Sequence, residues 1–143
     1  MQSVPDFTVR HADWLVDGPL LRSIREQVFI HEQGVPAELE LDAADALSRH
    51  VIALARGQGI GTGRLLPDAH IGRMAVIPAW RGKGVGSALL QSLIEIARSL
   101  GMRQVILNAQ LHALPFYQRH GFRPEGEEFL DAGIAHRRMR RDL

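Results

Sequence analysis

The stretch Met74-Ala75-Val76-Ile77-Pro78-Ala79-Trp80-Arg81-Gly82-Lys83-Gly84-Val85-Gly86-Ser87 carries the most chemical information in the chain. An apolar strand ends at Pro78, and a glycine-rich turn leads into an amphipathic helix. Backbone amides at such a junction point outward without intrahelical acceptors, and the helix dipole adds partial positive charge. Glycines remove the Cβ atoms that would hold a phosphate away from those amides, while Arg81 and Lys83 add full charges. A pyrophosphate suits this arrangement. Two familiar nucleotide motifs nevertheless fail here. Ile77 stands where the P-loop needs glycine, and Leu89 stands where a dinucleotide fingerprint beginning at Gly84 needs glycine or alanine. What remains is Arg-x-x-Gly-x-Gly at Arg81, Gly84 and Gly86, preceded by a Met-x-Val-x-Pro strand end. A second segment, Ala113-Leu114-Pro115-Phe116-Tyr117-Gln118-Arg119-His120-Gly121-Phe122, places the single tyrosine of the chain on a short helix.

The elements that position these segments follow from periodicity. Phe7–Arg10 alternates as a short edge strand. Asp17-Gly18-Pro19 opens a helix with Asp17 as its cap and Leu20, Leu21, Ile24 and Val28 as its buried stripe; Gly34 stops it. Residues 36–47 read as irregular with one helical turn. Arg49–Ala55 and Ile60–Leu66, separated by Arg56-Gly57-Gln58-Gly59, form a hairpin, and Ile71–Ile77 follows as a third strand. Val85, Leu89, Leu93, Ile96, Ala97 and Leu100 recur at helical spacing, with Gly101 as the stop. Val105–Asn108 is the next strand, so Ile71–Ile77, the helix and Val105–Asn108 make a right-handed βαβ unit. A helix over Ala113–His120 and one or two strands within Phe129–Met139 close the chain. The expected class is α/β (α+β), a mixed sheet that is antiparallel first and gains one parallel crossover late.

With both motifs in place, RMAVIPAWRGKGVGSALL and the A-x-x-F-Y-x-x-x-G-F helix resemble the two signatures of the GNAT superfamily, the acetyl-CoA-dependent N-acetyltransferases. The resemblance covers roughly residues 4–140 and implies that family's acyl-CoA N-acyltransferase fold, with splayed parallel strands around the thioester. HEQGVPAELELD, NAQ and EFLDAGIAH resemble a small group of bacterial acetyltransferases of undefined substrate. Arg25-x-x-Val28-Phe29-x-x-Glu32 with Gly61-x-Gly63-Arg64-Leu65 looks more distantly like acyl-homoserine-lactone synthases. The resemblance implies acetyl-CoA as co-substrate, with Met74, Ala75 and Val76 beside the pantetheine arm. It also places Arg81, Gly82, Lys83, Gly84, Val85, Gly86 and Ser87 around the pyrophosphate, and Asn108, Phe116 and Tyr117 near the thioester.

The implied chemistry is direct attack of a primary amine on the thioester. Only about one part in a thousand of an alkyl amine with pKa near ~10.4 is neutral at pH 7, so a base helps. The leaving thiolate needs a proton, and Tyr117 sits where the family's general acid sits. Glu32, with His31 and Glu40 nearby, is the candidate base, and Asn108 could orient a water. His50, His70, His112 and His136 show no ligand spacing, so no metal is expected. Arg73, inside an apolar strand, must face solvent or pair with an acid. Trp80 is expected to cover the glycine turn.

The 143 residues, 45% hydrophobic and 23% charged, suit one globular domain over 1–143. Without cysteine, disulfides, thiolate metal sites and a cysteine nucleophile are excluded. The opening MQSVPDFTVR has neither a basic region nor an apolar core, so a cytoplasmic protein without secretory signal or membrane span is expected. A net charge of +1 offers no field for nucleic acid. The acidic stretch Glu38, Glu40, Asp42, Asp45 reads as a solvated face or as a rim attracting a cationic acceptor; the basic tail His136–Arg141 reads likewise as a solvated face or a phosphate-attracting rim. A small-molecule or peptide amine is the expected acceptor, and a homodimer is the expected assembly. A CoA-binding sensor without turnover is the alternative.

Overall fold

The computed structural model describes residues 6–143, and its seven strands fall into two sheets. β1 (Thr8–Ala12), β2 (Arg49–Ala55), β3 (Gln58–Leu65) and β4 (Ile71–Val76) run antiparallel in that order. β5 (Gln104–Gln110), β6 (Arg123–Asp131) and β7 (Ile134–Asp142) form the second sheet in the order β5-β7-β6. The helices are α1 (Gly18–Arg25), α2 (Ala37–Glu40), α3 (Val85–Ser99) and α4 (Leu114–Arg119). A π-helical segment, Glu26–Glu32, continues directly from α1. Among the described residues no helix is long and apolar enough to cross a membrane.

The β2–β3 hairpin turns on Arg56 and Gly57, both with positive φ (51° and 77°), the geometry that matches the natural strand twist. The connection is thus two residues shorter than the four-residue loop expected. α3 buries Val85, Leu89, Leu90, Leu93, Ile94, Ile96 and Ala97, while Leu21, Ile24 and Val28 form a separate cluster with Ile52 and Ala75. Glycines on β3 permit the close approach of α3: a Cβ on Gly61 would lie 2.9 Å from Leu89, and one on Gly63 2.9 Å from Leu93.

Several expectations need correction. Asp17 does not cap α1; its carboxylate instead receives the Asp13 amide (2.8 Å) and both terminal nitrogens of Arg10. Leu20 is 39% exposed, because its neighbour Leu21 takes the sheet-facing position and Arg25, one turn on, is buried in its place. The last strands are longer than expected and start earlier, since the β6–β7 hairpin folds at Ala132 and Gly133. Glu38 stays exposed, but the rest of the acidic stretch is neither a solvated face nor a free anionic rim. Glu40 and Asp45 are buried, and Arg25 donates to both carboxylates. Arg64 bonds Asp42 (2.7 Å) and Asp45 (2.8 Å), and Arg73 donates to the carbonyls of Glu40 and Leu39. Three arginines balance three carboxylates, which staples residues 39–45 against β3 and β4. Arg64 hydrogen bonding pulls the Asp42 carboxyl down to about 2.

The β4–α3–β5 crossover has the expected order, yet its two parallel strands barely meet. His70 and Ile106 form one parallel bridge, and the Ile106 amide donates to Ala69 at 3.0 Å. Beyond it the strands diverge. β4 keeps only β3 as a ladder partner and β5 only β7, so two strand edges face each other across a gap. A break in the β3–β4 register between Thr62 and Arg64 lies across from Arg73, whose φ is +49°. This bulge re-aims β4 where the divergence begins.

Candidate active site

The gap between β4 and β5 opens into a cleft of about 890 Å³. Met74, Ala75 and Val76 line it from β4, and Asn108, Ala109 and Gln110 from β5. Tyr117 closes one side from α4, and the end of the π-helical segment reaches it through Glu32 and Gln33. An unpaired strand edge carries amides and carbonyls that need partners, so an extended ligand with amide groups of its own can dock there as an added strand.

At the C-terminal end of β4 the chain makes a single 3-10 turn, Pro78–Trp80, and then the glycine turn. Gly82 and Gly84 adopt φ of 73° and 86°, a region open to glycine and costly for residues with a Cβ. The first α3 bond runs from the Ala88 amide to the Gly84 carbonyl (3.1 Å). The amides of Val85, Gly86 and Ser87 are therefore left for an outside acceptor. Gly86 serves packing: a Cβ there would sit 3.4 Å from Phe116, so its absence lets α4 close on α3. Trp80 stacks edge-on against Phe7 and lies 5.0 Å beneath the Lys83 ammonium, steadying that charge beside the turn. Ser87 Oγ and His120 Nε2 are 2.9 Å apart. Burial, together with Arg119 and Arg141, keeps His120 below the usual histidine range.

Arg81 does more than face the turn. Its Nε donates to the Val76 carbonyl (3.0 Å), and its two terminal nitrogens both reach the Glu32 carboxylate at 2.6 Å. These hydrogen bonds hold the Glu32 carboxyl below its ordinary value and raise Arg81. The next residue, Gln33, accepts from Gln110 Nε2 at 2.9 Å. Consecutive residues at the end of the π-helical segment are thus tied to opposite sides of the cleft, one beyond β4 and the other on β5. Glu32 would have to surrender both Arg81 contacts to take a proton.

Tyr117 packs edge-to-face on Phe116 and Phe122. Desolvation pushes its hydroxyl up to about 12, so it stays protonated at neutral pH and can donate a proton or hydrogen bond. Asn108 is exposed within the same cleft. Of the residues singled out in the sequence, Glu32, Met74, Ala75, Val76, Arg81, Asn108 and Tyr117 line this space together. Gly82 through Ser87 belong to the adjoining turn, and Phe116 lies behind Tyr117. Sequence reasoning missed Gln33 and Gln110. It also scattered three histidines, His70, His112 and His136, that the fold brings to one cleft. Register was the missing signal: once β7 pairs with β5, His136 lies opposite Gln110. Among the described residues no group of three or more potential ligands could hold a metal ion.

This architecture is that of an acyltransferase: splayed strands, a glycine turn on a helix N-terminus, and a half-buried tyrosine between them. The family model described as "Acetyltransferase (GNAT) domain" matches residues 9–143, and the chain belongs to the GNAT acetyltransferase family. It is similar to the uncharacterized N-acetyltransferase YjcF of Bacillus subtilis, 41% identical over 123 residues that span 83% of this chain and 88% of that protein. Its fold matches the crystal structure of an acyl-CoA N-acyltransferase from Pseudomonas aeruginosa at a TM-score of 0.82 and 34% identity, over 95% and 98% of the two chains. A GNAT acetyltransferase from Elizabethkingia anophelis, solved with acetyl-CoA bound, shares the fold at a TM-score of 0.68 with 17% identity, over 96% and 99%.

Proposed function

We propose that this protein transfers an acetyl group from acetyl-CoA to a primary amine of a small molecule or peptide. The observation that carries the proposal is one continuous path. The open β4 edge at Met74–Val76 leads at one end to the free amides of Val85, Gly86 and Ser87, and along its length it faces Tyr117 and Asn108. Acetyl-CoA has a matching order of parts: a pyrophosphate, an amide-bearing pantetheine arm and a thioester. That the Elizabethkingia protein binds acetyl-CoA on the same fold supports the donor.

In this reading the glycine-turn amides, Arg81 and Lys83 hold the pyrophosphate. Met74, Ala75 and Val76 pair with the arm, and Phe116 backs the site through Tyr117. The amine attacks the thioester carbonyl directly, so the enzyme needs no nucleophile of its own. Tyr117 donates to the departing sulfur, and Asn108 orients the acceptor or a water in the cleft. Glu32 positions Arg81 and has little freedom to act as base. Thiol release from acetyl-CoA tests the reading across an amine panel that includes spermidine, glucosamine 6-phosphate and a lysine peptide. Release above background with any of them supports it. Binding of acetyl-CoA without release for any amine would leave the sensor reading in its place.

A further inference from the structure

The amine must lose a proton before it attacks, and Glu32 is engaged with Arg81. Resting on the acetyltransfer reading above, the geometry points to His136 Nε2 as the atom that receives this proton. His136 lies on β7, is 9% exposed and borders the cleft. Its Nδ1 is 2.7 Å from the carbonyl oxygen of Ile134. A carbonyl can only accept, so Nδ1 carries the hydrogen and the neutral ring presents its lone pair at Nε2. Among the described residues Nε2 has no hydrogen-bond partner. Phe129, stacked on the ring at 5.9 Å and 23°, fixes its plane. The imidazole is therefore held in one tautomer and one ring plane, with Nε2 left free of hydrogen bonds among the described residues on a side chain that borders the cleft.

The other histidines lack this combination. His50 is outside the cleft, with Nε2 donating to the Asp45 carbonyl. His120 is paired with Ser87. His70 sits at the closed end of the gap beside Asp68 (3.0 Å), where β4 and β5 touch. No hydrogen bond among the described residues orients the His112 ring.

Gln110 faces His136 from β5 and Phe129 from β6. Asp131, His112 and Tyr117, from β6, the turn after β5 and α4, line the same cleft, as do Glu32, Glu40, Arg64, Asp68, His70, Arg73 and Arg81. Arg137 and Arg138, next along β7, are drawn away to β6, to the Gly126 carbonyl and to Glu125.

The ammonium gives one proton to Nε2, which passes it to solvent. The freed nitrogen pair forms the C–N bond at the thioester carbonyl. The C–S bond breaks with its electron pair on sulfur, Tyr117 protonates that thiolate, and the second amine proton restores the phenol.

The test compares wild type with His136→Gln, which can still donate to the Ile134 carbonyl but offers no base. Initial rates of thiol release are measured from pH 5.5 to 9 with the best amine of the panel, alongside acetyl-CoA binding and thermal stability. The expected result is at least a hundredfold loss of kcat/KM for the amine at neutral pH. Acetyl-CoA affinity should stay within about twofold, and the acid-side limb of the profile should disappear. His136→Ala, with activity partly restored by added imidazole, separates proton transfer from packing. An active wild type whose His136→Gln variant keeps its rate within threefold and its acid limb would overturn the assignment of His136 alone. A wild type that binds acetyl-CoA but turns over no amine overturns both this assignment and the acetyltransfer reading.

Discussion

Glu32 offers two incompatible accounts of one carboxylate, and a single substitution separates them. Its oxygens each sit 2.6 Å from Arg81, and the two side chains are 38% and 43% exposed. Replacement by glutamine keeps the shape and removes the charge. For a pair this exposed the interaction is worth about 0.2–1 kcal/mol, a factor of roughly 1.4 to 5 in an equilibrium constant. Stability of Glu32→Gln should therefore drop by less than about 1 kcal/mol. Acetyl-CoA should bind up to about fivefold less tightly, because Arg81 loses the carboxylate that holds it beside the glycine turn. Turnover should change by less than the same factor. A general base gives a different scale, since its removal costs about 10²–10⁴ in rate. Calorimetric titration with acetyl-CoA and a thiol-release assay at saturating acetyl-CoA read both quantities. A hundredfold fall in kcat with unchanged acetyl-CoA affinity would refute the positioning role and return Glu32 to proton transfer.

Other consequences follow from the same geometry. Tyr117→Phe should lower kcat about tenfold or more while acetyl-CoA affinity stays within twofold; an unchanged kcat would remove the hydroxyl from the reaction. Because the Tyr117 hydroxyl ionises only at about 12, loss of the protonated acid should not shape the pH–rate profile below pH ~11. Arg25→Met should destabilise the fold by about 3–5 kcal/mol, since it takes the close ion-pair partner from buried Glu40 and leaves buried Asp45 with Arg64 alone; chemical denaturation measures it. Asp42, held at about 2 against an ordinary 3.8, is bound to stabilise the protein above pH 4 and to lose that contribution as the pH falls toward 2. Melting temperatures of wild type and Asp42→Asn across that range should converge.

The parts written in local spacing were legible in the sequence. The glycine turn, the α3 stripe stopped by Gly101 and the existence of a hairpin within Arg56–Gly59 each declare themselves within a few residues. The acetyltransferase class was legible too, because both signatures are contiguous. What was not legible depends on partners distant in the chain. Glu40 to Asp45 looked like exposed charge because Arg25, Arg64 and Arg73 reach them from 15 to 33 residues away. A helical stripe that seemed to run from Leu20 to Val28 changes pitch at Glu26, and no local residue type announces a π-helical turn. Nor could spacing show that His136 would stand opposite Gln110, or that Glu32 and Gln33 would tie opposite sides of the cleft.

In the proposed reading the β4 edge and the α3 N-terminus together form an acetyl-CoA site. Thermal unfolding with and without acetyl-CoA tests it most directly, with ATP and dephospho-CoA as controls. At about 100 times its dissociation constant, a ligand that binds only the folded state adds roughly 2.7 kcal/mol, which for a domain of this size raises the midpoint by about 5–10 °C. The midpoint should rise by that amount with acetyl-CoA and not at all with ATP at the same concentration. An unchanged midpoint with acetyl-CoA, or an equal rise with ATP, would contradict that reading.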